Sequence, residues 1–198
     1  MIAPVDKDCG PDCQDFVAKW SLWWRRQKDE PLAMLDCTVP YMELVGRNTR
    51  NMVRKAIRLY DYRPFDYNDH LPEIDAINVS KPRRQGRPME GWYTEPARPT
   101  LPARLCETHR DQWDGAFRRE DDVLVAYAHF CRVSDELIVP CSVFGHGDAS
   151  AAINGMWAHL ADIADVAWIN YLHMKSATDT LEAFKRRLGF QEVDCAEM

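Results

Sequence analysis

The chain has 198 residues, 46% of them hydrophobic, with seven Trp, seven Tyr and seven Phe, enough bulk for one core of ordinary size. Its formal net charge is −6, from 25 Lys and Arg against 31 Asp and Glu. No run of about 18 apolar residues exists, which excludes a membrane-spanning helix, and the opening "MIAPVDKDCGPDCQDF" lacks the basic-then-apolar order of an export signal.

A cytoplasmic protein with no membrane association is therefore expected. The seven cysteines fit reduced thiols in such a compartment. Residues 1–31 read as an N-terminal helical appendage, and 32–198 as the main domain. Within the first part, "QDFVAKWSLWWRRQK" (14–28) sets Phe16, Val17, Trp20, Trp23 and Trp24 on one helical face. Pro31 ends that helix. Cys9 and Cys13 have three residues between them. With Cys106 and His109 of "LCETHRDQW" they could complete a metal site, but no second pair stands at the usual spacing, so no metal is expected.

"LAMLDCTV" reads as a short strand. Next comes "VGRNTRNMVRKAIRLY" (45–60), with five cations and no acid. Arg47, Arg50, Arg54 and Arg58, spaced three, four and four apart, fall along one helix face, and Met52, Val53, Ala56, Ile57 and Tyr60 fall on the other. Such a stripe suits bidentate contacts to phosphate, from a nucleotide-linked donor or a nucleic acid. The alternative is a solvated face paired with acids from elsewhere. "HLPEIDAINVS" predicts a second helix. Residues 81–104 hold five prolines, the cations Lys81, Arg83, Arg84 and Arg87, and the aromatics Trp92 and Tyr93. This long loop is either disordered or a substrate loop, and in the second case Arg84, Arg87 and Tyr93 join the substrate-binding set.

The C-terminal half alternates clearly. Strands are predicted at 122–133 and 137–144, joined as a hairpin, with Cys131 and Cys141 as small core residues. "GHG" (145–147) follows, then a helix over 148–164 and a strand over 166–172. The last helix is "TDTLEAFKRRLGF", with a capping box at Asp179 and Glu182 and Gly189 as its left-handed stop. Glycines at 145 and 147, between a strand and a helix tip, would present amides to an anion. Of the side chains suited to take a proton from an attacking amine, His129 in the first hairpin strand and His146 in the glycine turn stand out.

The order strand hairpin, glycine turn, helix, strand, helix ending "FKRRLGF" resembles the C-terminal half of the GNAT N-acyltransferase superfamily. "RNTRNMVRKA" together with "FKRRLGF" resembles its Fem-type branch, whose donor is aminoacyl-tRNA. The resemblance implies a mixed, mostly antiparallel sheet flanked by helices, an α/β (α+β) fold, and transfer of an acyl or aminoacyl group from acyl-CoA or aminoacyl-tRNA to an amine. Ser142, Gly145, Gly147, Asp179 and Lys185 are the residues expected around the donor, Ser142 standing where the superfamily usually has Arg or Gln. Tyr171 takes the place of the superfamily's leaving-group tyrosine, because no Tyr occurs in 173–198. The chain ends soon after Gly189-Phe190, so the closing strand pair should be short or absent. A nucleic-acid-binding or base-modifying protein on the same fold is the rival expectation, and a homodimer is left open.

Overall fold

The computed structural model describes residues 9–26, 30–84, 87–89, 91–100, 106, 108–163, 166–175 and 179–194. The side chains of residues 21, 23–26, 84, 87 and 92 lie outside that description, so the predicted inward turn of Trp23 and Trp24 and the placing of Trp92 are outside it too.

Helix α1 (Pro11–Arg26) precedes strand β1 (Leu32–Asp36). A single turn, α2 (Tyr41–Leu44), leads into the arginine helix α3 (Arg47–Leu59). Thr49, Val53 and Ala56 are its buried residues, and Tyr60 just beyond it is buried as well; these lie opposite the four arginines, as the spacing predicts. Ile57, expected inside, is 55% exposed, because its position falls at the edge of the apolar stripe. The chain passes without a loop into β2 (Tyr60–Pro64), an edge strand whose terminal proline, opposite Asp114, has no N–H to leave unpaired. A 3-10 turn (Tyr67–His70) and α4 (Leu71–Val79) follow. The proline-rich stretch is not featureless. It holds the two-residue strands β3 (Arg83–Arg84) and β4 (Arg87–Pro88) and a one-turn helix α5 (Gly91–Thr94).

The remaining elements are β5 (Arg110–Arg118), β6 (Leu124–Ser134), β7 (Leu137–Gly145), α6 (Ser150–Ile163), β8 (Trp168–His173), α7 (Asp179–Arg187) and β9 (Gln191–Val193). Seven strands form one sheet in the order β2-β5-β6-β7-β8-β1-β9. Among the described residues only β7 and β8 run parallel, so the sheet is mixed and mostly antiparallel, as expected. The closing strand is present but only three residues long, paired to β1.

Both sheet faces are covered, which explains the continuous apolar start of β6, Leu124 to Ala128. Ala126, Ala128 and Phe130 meet Val53 and Ala56 of α3 and Met156, Trp157 and Leu160 of α6. On the opposite face Tyr127 packs with Ile74 and Ile77 of α4, while Cys131 and Val133 pack with Trp20 of α1. The predicted N-terminal helix thus contributes its Trp20 to a cluster with Leu32, Met34 and Val139.

Strands β2 and β5 escape the sequence pattern. "RDQWDGAFR" opens on three polar residues and shows no alternation, yet Asp114 within it is 0% exposed. His159 of α6 (2.8 Å) and Gln112 (2.7 Å) satisfy its carboxylate. Tyr62 of β2 stacks on that histidine. The polar residue that hides the strand is satisfied from its own strand and from another element.

Candidate functional site

Between β7 and β8 the sheet opens. The strands pair only at Leu137–Trp168 and Ile138–Ile169, with the Trp168 amide donating to the Glu136 carbonyl at 2.8 Å. Farther along, β7 follows β6 and β8 follows β1. In β7, His129 faces Ser142 while Phe130 faces Pro140, so Cys141 is the extra residue of a bulge. The diverging ends enclose a cleft of about 340 Å³. Val143, Phe144 and Gly145 of β7, Tyr171 of β8, Ile153 and Trp157 of α6 and Phe184 of α7 form its apolar wall. Its charged lining is Lys81, Arg83 and Arg187, with no carboxylate among the described residues. An apolar slot with three cations accommodates an anionic carrier that bears an uncharged reactive end.

A second cavity, of about 590 Å³, lies beyond Phe144. The Phe144 ring touches Tyr93 (4.5 Å) and Tyr127 (5.7 Å), which line that cavity with Tyr67, Trp113, Glu95, His129, Cys141 and Ser142. His129 stacks on Trp113 at 4.2 Å and holds the Asp111 carboxylate through Nε2. Burial alone would raise the Asp111 carboxyl, but the hydrogen bond and charge of His129 hold it below its usual range. The Cys131 thiol, 3.5 Å from Cys141, lowers the Cys141 thiol from 9.0 to about 7 against the effect of burial. The same bond, with burial, pushes Cys131 up. Cys141, expected in the core, is exposed because the bulge turns it out of the ladder; Cys131 is buried as expected.

Of the proposed proton-transfer residues, Tyr171 lines the cleft, and His129 belongs to the second cavity. His146 stays on the turn, its Nδ1 accepting from the Asp148 amide (3.3 Å), and lines neither cavity. Gly145 reaches the cleft, but the expected cup of amides is closed by internal bonds. The His146 amide donates to the Val125 carbonyl (2.8 Å) and the Gly147 amide to Ser80 Oγ (3.0 Å). Neither glycine adopts left-handed backbone. The cations that line the cleft are Lys81, Arg83 and Arg187, none of them part of the turn.

Ser142 faces the second cavity, its hydroxyl 2.9 Å from that of Tyr93. Asp179 is exposed at the start of α7, outside the cleft lining. Lys185 is 3% exposed, donates from Nζ to the His173 carbonyl and lies 5.0 Å from the Tyr171 ring centre, so it stands behind the cleft wall and not at a phosphate. Burial lowers its ammonium from 10.5 to about 8. Arg186 is held by Glu182 (2.9 Å) and Glu192 (2.8 Å). Phe184 and Arg187 are the cleft residues of "FKRR", and Arg187 is its cleft cation. Helix phase is the signal for it, since Phe184 and Arg187, three apart, share a face.

Among the described residues no carboxylate pairs with Arg47, Arg50, Arg54, Lys55 or Arg58; Arg54 donates to Asn51 instead (3.3 Å). Thr49 Oγ1 donates to the Arg187 carbonyl (3.2 Å), which sets the first turn of α3 beside the cleft. The side chains of Arg84 and Arg87 lie outside the described residues.

No family model matches the chain, and no curated protein matches it. Solved structures do. FemX superposes over 83% of this chain and 59% of its own, with TM-score 0.61 and 8% identity. L-PGS from Bacillus licheniformis covers 82% of this chain and 57% of its own, with TM-score 0.56 and 10% identity. The C-terminal domain named for a lysylphosphatidylglycerol synthetase of Agrobacterium fabrum covers 83% and 57%, with TM-score 0.53 and 11% identity. The chain thus spans less than two thirds of each of these longer structures. At these identities the likeness establishes the fold alone, an α+β domain with a mixed, mostly antiparallel sheet shared with FemX and L-PGS.

Proposed function

We propose that this protein transfers an acyl or aminoacyl group from a phosphate-bearing carrier to an amine. The observation that carries the reading is the divergence of β7 and β8 around a cleft with an apolar wall and three cations. The carrier's phosphates meet Lys81, Arg83 and Arg187, and its acyl end lies along Phe144 and Trp157 toward Tyr171. The amine approaches from the second cavity, across the bulge. Attack at the carbonyl carbon forms the new C–N bond, and collapse of the tetrahedral adduct breaks the bond to the carrier's oxygen or sulfur. The amine's proton is taken up on the His129–Asp111 side, and the Tyr171 hydroxyl supplies one to the leaving group.

Of the two donor classes, aminoacyl-tRNA is favoured. The arginines of α3 beside the cleft, which pair with no carboxylate among the described residues, suit a polyphosphate chain better than one short carrier. One fold relative bears a name that speaks of a lysyl product, which supports the same choice. The arginine face also supports a second reading, a nucleic-acid binder or base modifier without acyl transfer.

The test is filter binding of charged and uncharged tRNA and calorimetry with acyl-CoA, followed by transfer of labelled aminoacyl groups to a panel of amines. Tyr171→Phe is expected to lower turnover by about a hundredfold while leaving donor affinity nearly unchanged. Failure of both donors to bind defeats the transferase reading, and tight tRNA binding without transfer supports the second.

A further inference from the structure

Four metal-ligating side chains from the two ends of a long stretch of chain meet beside β5. Cys9 and Cys13 bracket the turn that opens α1, where the Cys13 and Gln14 amides both donate to the Gly10 carbonyl (3.1 and 3.2 Å). Cys106 and His109 immediately precede β5. Cys9 Sγ lies 3.7 Å from Cys106 Sγ and 3.6 Å from His109 Nδ1, and Cys106 Sγ lies 3.2 Å from that nitrogen. With Cys13 Sγ, the four ligand atoms all lie within 4.8 Å of one another. Exposures of 8%, 1% and 1% bury Cys9, Cys13 and His109.

Zinc–sulfur bonds of about 2.3 Å and zinc–nitrogen bonds of about 2.0 Å, arranged as a tetrahedron, separate sulfurs by about 3.8 Å and sulfur from nitrogen by about 3.5 Å. The observed separations fit that figure. A disulfide would bring two sulfurs to about 2.05 Å and leave the other two donors idle. We propose that Cys9, Cys13, Cys106 and His109 bind one zinc ion as a closed structural site. Three thiolates and a neutral imidazole supply all four positions, so no place remains for a reactive water. The Cys106 amide donates to Cys13 Sγ (3.1 Å), an outer-shell contact that orients a thiolate ligand. The proposal departs from the sequence expectation of no metal because each half, C-x₃-C and C-x₂-H, is incomplete until the fold joins them.

The ion ties the start of α1 to the start of β5. Lys19 of α1 and Trp113 of β5 both line the second cavity. The site therefore holds the walls of that cavity and takes no part in the chemistry. His129, Cys131 and Cys141 form another group within ligating reach, with only three donors, of which His129 and Cys141 line the same cavity. The experiment must separate the two.

Full-length protein purified without chelator is expected to carry one zinc per chain by plasma mass spectrometry. Loading with cobalt in its place should produce the visible bands of a tetrahedral, thiolate-bound ion. Cys9→Ser and Cys106→Ser are expected to lose the metal, and Cys37→Ser and Cys141→Ser to keep it. If the first two variants fail to fold, chelator titration of the unmodified protein supplies the readout. Its melting temperature should fall as zinc leaves and recover with zinc but not magnesium. Three results would overturn the proposal: substoichiometric zinc with a melting temperature indifferent to zinc, a Cys9–Cys106 disulfide found by mass spectrometry, or metal lost from Cys141→Ser but kept by Cys9→Ser.

Discussion

Lys185 donates to the His173 carbonyl beneath the Tyr171 ring, almost out of reach of water. Burial lowers its ammonium from 10.5 to about 8. The unfolded chain keeps this proton up to 10.5, whereas the folded chain sheds it above about 8. The unfolded state thus binds more protons across that window, and stability from this group rises with pH through it. Below about pH 8 the fold bears the full penalty of a buried cation. Lys185→Met, of similar length and uncharged, is expected to gain stability relative to the parent at about pH 7, with the difference narrowing as the pH approaches 10. Urea melts across that range measure it, and a pH-independent difference would remove the charge argument. Charge type and helix phase place Lys185 on the final helix, but only its neighbours show that it faces inward while Arg187 faces the cleft.

Among elements, the seam between α3 and α6 depends on Gly155. A Cβ there would meet the Tyr62 hydroxyl at 2.0 Å and Ala56 Cβ at 2.7 Å. Tyr62 in turn donates to the Ala152 carbonyl (3.0 Å), so neither neighbour can easily withdraw. Glycine within a helix is about 1 kcal/mol worse than alanine on propensity alone. Gly155→Ala is nonetheless expected to destabilise the protein by about 1–3 kcal/mol, because overpacking of a tight core outweighs propensity. Thermal or urea denaturation decides the sign. The end of α7 was legible in advance. Gly189 takes φ +91°, its amide reaches the Arg186 carbonyl (3.1 Å), and the Phe190 amide reaches that of Lys185 (3.2 Å). This paired-bond stop is what a glycine at that place predicts. Gly155 sent no such signal, since its need arises from a helix a hundred residues earlier.

Across the whole molecule charge is unevenly spread. The chain carries −6, yet α3 offers five cations that no described carboxylate neutralises. Such polarity draws a polyanion to one face and repels it elsewhere. The slope of log affinity for tRNA against log salt should flatten by about 0.7–0.9 for each arginine that contacts a phosphate. Arg50→Ala with Arg54→Ala should therefore flatten it by about 1.4–1.8. An unchanged slope would leave the stripe as a solvated surface.

Read alone, the sequence determined the elements whose pattern is local: the arginine helix, the β6–β7 hairpin, α6, the glycine stop of α7, and through their order the fold class. Tertiary structure alone decided that β7 and β8 part after two residue pairs, that the glycine-turn amides are already engaged, that Arg187 lines the cleft, and that four metal donors meet. The physical reason is that periodicity reports only which face of an element is apolar. Strand register, helix phase and the burial of polar side chains such as Asp114 are settled by partners far away in the chain, and the candidate site is built from those.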